Sequence, residues 1–555
     1  MKPYCYRTGL WLALSIAALP AAAATLYEHV NGYTSDAARR IVHFEALAVD
    51  DQGKVLATGA RLALRKQYPA AHRIDMKGQT LLPGLTDAHG HIFGLGESLG
   101  MLNLRASASL TEAQQAIRDY AAKHADQAWI LGGEWNQENW KLGRFPAAAD
   151  IDAVVSDQAV WLSRVDGHAG WANSKALQLA GITAQTADPA GGKIERDADG
   201  KPTGVLVDSA MTLVERVVPT MSESAGRQAV DRALQNLVSQ GLTSVHDAGV
   251  SEEADKIFRD YAMQNKLPLR IYGMISGTGD FFDRASAHGP LKSMVDDHYA
   301  LRAVKLFADG ALGSRGAALL APYSDAPATQ GLLFHSAADI EAMISKAAQK
   351  GYQVNVHAIG DAGNRQILNA FAKLPAAERA ALRNRIEHAQ VVALEDIPRF
   401  RELGVIPSMQ PTHATSDMNM AENRIGHERI MGAYAWQRFL RQGSRIACGS
   451  DFPVESPNPF LGIYAAVTRQ NTDAQPEGGW YINQAMSLAE AFRCFTIDAA
   501  YAAHQEKILG SLEAGKWADF IIIDRDLMRI PASQIPQIQV LQTWVAGKRV
   551  YQRSP

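Results

Sequence analysis

Through the middle of the chain, short apolar runs alternate with longer stretches of helical periodicity, and each run breaks off in polar or small residues. Eight such runs can be counted, at 84–89, 243–247, 269–275, 303–307, 353–357, 385–388, 405–409 and 445–451. That alternation is the pattern expected of βα units and a parallel sheet. Eight of them predict a closed (β/α)8 barrel, the TIM-barrel form of the α/β class. A doubly wound open sheet is the competing architecture, but the first run is not followed by a Gly-rich dinucleotide turn.

The two ends of the chain read differently. Residues 25–83 carry short strand-like pieces such as Arg40-Ile-Val-His-Phe and Gly78-Gln-Thr-Leu-Leu-Pro-Gly, separated by polar turns. Residues 506–555 carry Ala518-Asp-Phe-Ile-Ile-Ile-Asp524 and the run from Val540 to Tyr551. Strand edges seek partners, so both ends are expected to pair as one small β-sandwich beside a barrel domain at 84–505. A long insertion, residues 100–240, separates the first two barrel runs. It holds strand-like pieces of its own at 128–132 and 159–165, and is read as a lid or substrate-facing subdomain.

The first 24 residues place Lys2 and Arg7 before an apolar run that ends at Pro20 and Ala22-Ala23-Ala24. This is the pattern of a cleaved signal peptide; the run is shorter than the ~20 residues of a membrane-spanning helix. An exported chain, periplasmic or secreted, with no stable membrane anchor is expected. Of the three cysteines, Cys5 falls in the leader. Cys448 and Cys494 each lie in apolar stretches and read as buried free thiols rather than a disulfide framework. With 55 basic and 58 acidic residues the chain offers no field for nucleic acid. A small-molecule substrate is the expected partner, and a homo-oligomer is compatible.

The candidate chemistry lies where the runs end. Residues i and i+2 of a strand face one side, so His89 and His91 present two imidazoles in one direction. His357, His388 and Asp451 end the fifth, sixth and eighth runs. Carboxyl ends of barrel strands are where such enzymes build active sites. Imidazole and carboxylate suit zinc or a similar divalent metal, with a position left for water.

The order His-x-His, Lys, His, His, Asp resembles the amidohydrolase superfamily. Longer stretches resemble its amidohydrolase 3 branch, related to N-substituted formamide deformylase: Val304-Lys-Leu-Phe-Ala-Asp-Gly-Ala-Leu-Gly-Ser-Arg315, Ser408-Met-Gln-Pro-Thr-His413, Gly449-Ser-Asp-Phe-Pro-Val-Glu455 and Gly510-Ser-Leu-Glu-Ala-Gly-Lys-Trp-Ala-Asp519. The resemblance implies that His89, His91 and Asp451 hold one metal and His357 and His388 another. Lys305, carboxylated to a carbamate, would bridge the two. A bare Lys305 paired to Asp309 or Asp451 beside a single metal is the alternative. It also implies that His168 and His413 contact the substrate's carbonyl or developing oxyanion, a satisfied structural histidine being the alternative for each. His246 reads as a packed barrel residue outside the site. Trp135 and Trp140 could wall the pocket or pack the insertion, and Arg315 could read a substrate carboxylate or sit solvated in its loop.

The expected reaction is hydrolysis of an amide-type C–N bond in an N-acyl or N-formyl small molecule. A metal-activated water would be the nucleophile and Asp451 the general base. A lactone, cyclic imide or carbamate would pass through the same tetrahedral oxyanion. A catalytically dead binding protein on this scaffold is the reading from another class, and the intact ligand set argues against it.

Overall fold

The computed structural model describes residues 24–554 except 138–139, 165–168, 190–191 and 220–221. The expected leader therefore lies, but for Ala24, outside the described residues, as does His168. No helix among the described residues is long and apolar enough to cross a membrane.

Eight parallel strands form a nearly closed barrel: Leu85–Gly90, Leu242–Val250, Arg270–Ser276, Tyr299–Phe307, Gln353–Ala358, Arg385–His388, Ile406–Met409 and Ala447–Cys448. Each pairs in parallel with the next. The eighth meets the first through two backbone bonds just past its end, Asp451 N to His89 O at 2.7 Å and His91 N to Phe452 O at 2.9 Å. Gly449 makes that approach feasible. A Cβ there would stand 2.5 Å from His89 N and 2.6 Å from Asp87 Oδ1, closer than carbon atoms tolerate.

The covering helices follow from their sequences. In Ala337–Gln349, Ser336 caps the first turn by accepting from Asp339 N, and Ile340, Ile344, Ala347 and Ala348 form the buried stripe. In Glu223–Ser239 the stripe is Ala229, Val230, Ala233, Leu234, Leu237 and Val238. Gly241, with φ +84°, then turns the chain into the second barrel strand.

Two further sheets accompany the barrel. The segment between its first and second strands carries six strands in the order Gly192–Arg196, Pro202–Asp208, Ala169–Ala172, Ala159–Arg164, Trp129–Trp135, Leu102–Asn103. Alternate residues feed its two cores: Val160 and Leu162 join Trp135 and Trp171 on one face, Trp161 joins Leu206 and Ala176 on the other. The chain ends share one eight-stranded sheet, in which Phe520–Ile523 pairs antiparallel with Thr80–Pro83, Ile521 opposite Leu82. Arg270 fastens this sheet to the barrel: its Nε and Nη2 donate to Asp519 at 2.6 and 3.0 Å, with both side chains buried.

The structure corrects the reading of the cysteines. Cys448 ends the eighth strand, Cys494 ends the helix Leu488–Cys494, and the two are joined as a disulfide with their Cα atoms 5.1 Å apart. Apolar surroundings had marked both as buried. Burial alone could not say that the fold sets them side by side.

Candidate metal centre

The candidate metal ligands and His413 sit at or near the carboxyl ends of the barrel strands, where alternation aims every second side chain inward. His91 Nε2 lies 3.0 Å, and His89 Nε2 3.4 Å, from Asp451 Oδ1. His413, in the helix Pro411–Asp417 after the seventh strand, places Nε2 3.7 Å from Asp451 Oδ2. Two groups of three, His89–His91–Asp451 and His388–His413–Asp451, hold their ligand atoms within 4.8 Å of one another, a spacing that could hold a metal ion. His357 and His388 follow alongside, ring centroids 4.5 Å apart, and His388 stands 4.9 Å from His89. Lys305 Nζ is 3.3 Å from His89 Nε2.

Backbone strain helps to gather these groups. His388 and Asp451 both take left-handed backbone, φ +72° and +63°. Each such non-glycine residue costs on the order of 1 kcal/mol or more. Consecutive strand residues normally face opposite ways, and the turn at His388 is what lets it reach the cluster directly after inward-facing Glu387.

Electrostatics favour a cation. Burial, then the charge of Lys305, lowers His89 to about 4; the same two causes in the same order lower His357 to about 3; burial drives His388 well below the usual range. These imidazoles are neutral at pH 7, so each keeps a lone pair, although His357 Nε2 lies 3.4 Å from Gly310 O. Burial alone would raise Asp451, but the histidines around it, His89 first, hold it well below the carboxylate range. Burial also lowers Lys305. His413 Nε2 is buried without a hydrogen-bond partner among the described residues. An orphaned imidazole nitrogen, neutral histidines and one shared carboxylate are the donor set a divalent metal takes.

Several buried partners escaped the sequence reading. Glu387 bonds His89 Nδ1, and Gln410 Oε1 bonds His388 Nδ1 at 2.8 Å, so each ring is fixed with Nε2 toward the cluster. Asp87 accepts from Ser450 Oγ at 2.6 Å and His89 N at 3.0 Å, joining the first and last strands beneath the site. For Glu387 and Asp87 the signal was a charged residue inside a run otherwise destined for burial. Asp309 accepts from the amides of Ala318, Ile359 and Gly360 at 2.8–2.9 Å, and burial pushes it up to about 7.

Two proposed substrate contacts are placed elsewhere. Trp135 is wholly buried in the insertion core, its Nε1 donating to Leu162 O at 2.7 Å and its ring edge-on to Trp171. Trp140 packs in the same core. Arg315 spends its guanidinium fork on Asp325, at 3.1 and 2.9 Å, which removes the flat donor face a substrate carboxylate would need. His246 lies inside the barrel against Arg385. The cleft lined by Trp517, Lys266 and Asp296 opens at the amino-terminal ends of the strands and contains none of these groups.

A parallel eight-stranded barrel with histidines and aspartate converging at its carboxyl mouth defines a metal-dependent hydrolase of the barrel type. The chain belongs to the amidohydrolase family, whose profile it matches over residues 73–551. It is a hydrolytic enzyme acting on carbon–nitrogen bonds. It is 32% identical over 517 residues to the putative amidohydrolase YtcJ of Bacillus subtilis, covering 92% of this chain and 96% of that protein. It is 28% identical over 522 residues to N-substituted formamide deformylase of Arthrobacter pascens, covering 90% and 94% respectively. Among solved structures, an uncharacterized metal-dependent hydrolase from Pyrococcus horikoshii superposes with a TM-score of 0.77 at 26% identity, over 92% of this chain and 99% of that one.

Proposed function

We propose that the protein hydrolyses an amide-type C–N bond in an N-acyl or N-formyl small molecule, with Asp451 as the proton carrier. The observation that carries this reading is the position of Asp451: its Oδ1 faces His89 and His91, its Oδ2 faces His413, and its surroundings keep it ionised. A carboxylate so placed can take a proton from an attacking water and return it to the departing nitrogen, work worth ~10²–10⁴ in rate.

His89, His91, His357, His388 and Asp451 would hold the cation, zinc in our reading, with one or two ions. Such a cation supplies a water whose pKa falls to about 7 and polarises the scissile carbonyl. His413, whose buried Nε2 lacks a partner among the described residues, would bind the carbonyl oxygen as negative charge develops there. His168 is assigned the same task from the insertion. Lys305 would act as its carbamate: burial favours the neutral amine, the form that adds carbon dioxide. Its pairing with Asp309 is not supported, since backbone amides already occupy that carboxylate.

A formamide or other N-acyl substrate accords with the likeness to a protein named N-substituted formamide deformylase. We read the terminal sheet as a composite β-sandwich and the insertion as a substrate-facing lid. Export accords with the Cys448–Cys494 disulfide, since such bonds persist in oxidising compartments.

The reaction is tested by turnover of a panel of formanilides and N-acyl anilides before and after chelation. Activity should vanish with chelator and return with Zn²⁺. Turnover indifferent to chelation would overturn the reading.

A further inference from the structure

His89 is gripped from behind. Its Nδ1 bonds Glu387, whose side chain is fully buried and comes from the sixth strand, three strands from the first around the barrel. Glu387 in turn is held by Arg385, also fully buried: Nη2 donates to Oε2 at 3.1 Å and Nε stands 2.8 Å from Oε1. The same guanidinium donates to His246 Nδ1 at 3.1 Å, Ser408 Oγ at 2.8 Å and Ala88 O at 2.6 Å. One arginine thus ties the first, second, sixth and seventh strands together directly under the candidate metal centre.

A buried ion pair gives little net stability; apolar residues of similar volume often do as well or better. The metal site gives the pair a role that packing does not. A carboxylate behind an imidazole fixes the hydrogen on Nδ1, leaves the Nε2 lone pair pointing forward, and makes the ring a stronger donor. Here Nε2 points at the cluster, 3.4 Å from Asp451 Oδ1. Resting on the reading that this cluster binds a divalent cation, we propose that Glu387 is the positioning residue for His89 and that Arg385, braced by His246 and Ser408, holds Glu387 in place for that task. His246, which the reaction itself leaves unused, acquires a function as the far end of this chain: its Nδ1 accepts from Arg385, so it serves as a neutral acceptor rather than a ligand.

The test measures metal alone, on the full-length chain stripped with chelator and titrated with Zn²⁺ against a competing chromophoric chelator. Two variants separate hydrogen bonding from packing. Glu387→Gln keeps a side-chain oxygen for Nδ1–H. The double variant Arg385→Met with Glu387→Met removes the acceptor and its counter-charge together, leaving no unpaired charge to unfold the barrel. Thermal unfolding of the metal-free proteins confirms that both fold.

The double variant should bind Zn²⁺ about 10–100-fold more weakly than wild type, the usual cost of losing such a partner, and Glu387→Gln should recover at least about fivefold of that loss. A double variant within about twofold of wild type would overturn the proposal. So would Glu387→Gln binding no more tightly than the double variant, because volume rather than the acceptor would then matter. Failure of the wild-type chain to bind any Zn²⁺ is a separate result, and it would strike the metal reading itself.

Discussion

His91 Nε2 and Asp451 Oδ1 lie 3.0 Å apart although 360 positions separate them in the chain. They meet because the eighth strand ends against the first, where Asp451 N bonds His89 O and Asp87 receives Ser450. Strand closure and site assembly are therefore one event. Replacing Asp451 by Asn keeps the shape but removes the proton acceptor, so kcat should fall by ~10²–10⁴ while most of the bound metal stays. Steady-state kinetics with parallel metal analysis checks this, and unchanged kcat would remove Asp451 from its role.

The disulfide closes a loop of 46 positions between the end of the last barrel strand and a covering helix. Cys494→Ala should lower stability by ~2–4 kcal/mol in denaturant unfolding. Wild type unfolded in strong reductant should lose a similar amount, and the variant should not respond to reductant at all.

Phe307 is 40% exposed at the end of the fourth strand, on the same face as Lys305, with its ring centroid 4.6 Å from Lys305 Nζ and 5.5 Å from the His357 ring. An open phenyl ring at that mouth suits an apolar group beside the scissile carbonyl. Phe307→Ala should raise KM about tenfold for aryl substrates, equal to ~1.4 kcal/mol of lost apolar contact, and change KM far less for formamide itself. Equal effects on both would count against such contact.

His504 sits away from the mouth, its Nε2 bonded to Leu382 O at 3.0 Å, and burial first, then Arg302 and Arg383, lowers it to about 4. The unfolded chain takes up that proton near pH 6.5, whereas the fold refuses it until about pH 4. Its contribution is thus complete above pH 6.5 and lost as pH falls toward 4, by at most ~3 kcal/mol. His504→Asn should flatten the stability–pH curve over that window in urea titrations. An unchanged slope would show that His504 does not set it.

The barrel was readable because parallel strands covered on both faces carry short apolar runs at regular intervals, and because their polar ends stand out against them. The boundaries moved where backbone geometry intervened: the run 445–451 shortens to Ala447–Cys448 once Gly449 and left-handed Asp451 leave the ladder. The ligand-type residues were readable from residue type and strand position. Their supports were not, since Glu387 and Asp87 matter through partners hundreds of positions away. Arg315, which the sequence left between a substrate contact and a solvated loop residue, pairs with Asp325 only ten positions on, and nothing in the intervening loop announces the pairing. Trp135 and the paired cysteines show the limit of burial signals, which place a side chain inside without saying against what.

Elemental analysis of the natively purified, active protein tests the central claim most directly. The account predicts one to two equivalents of divalent metal per chain, falling to a trace when His89 and His91 are both replaced by Ala. A fully active preparation without stoichiometric metal would contradict it.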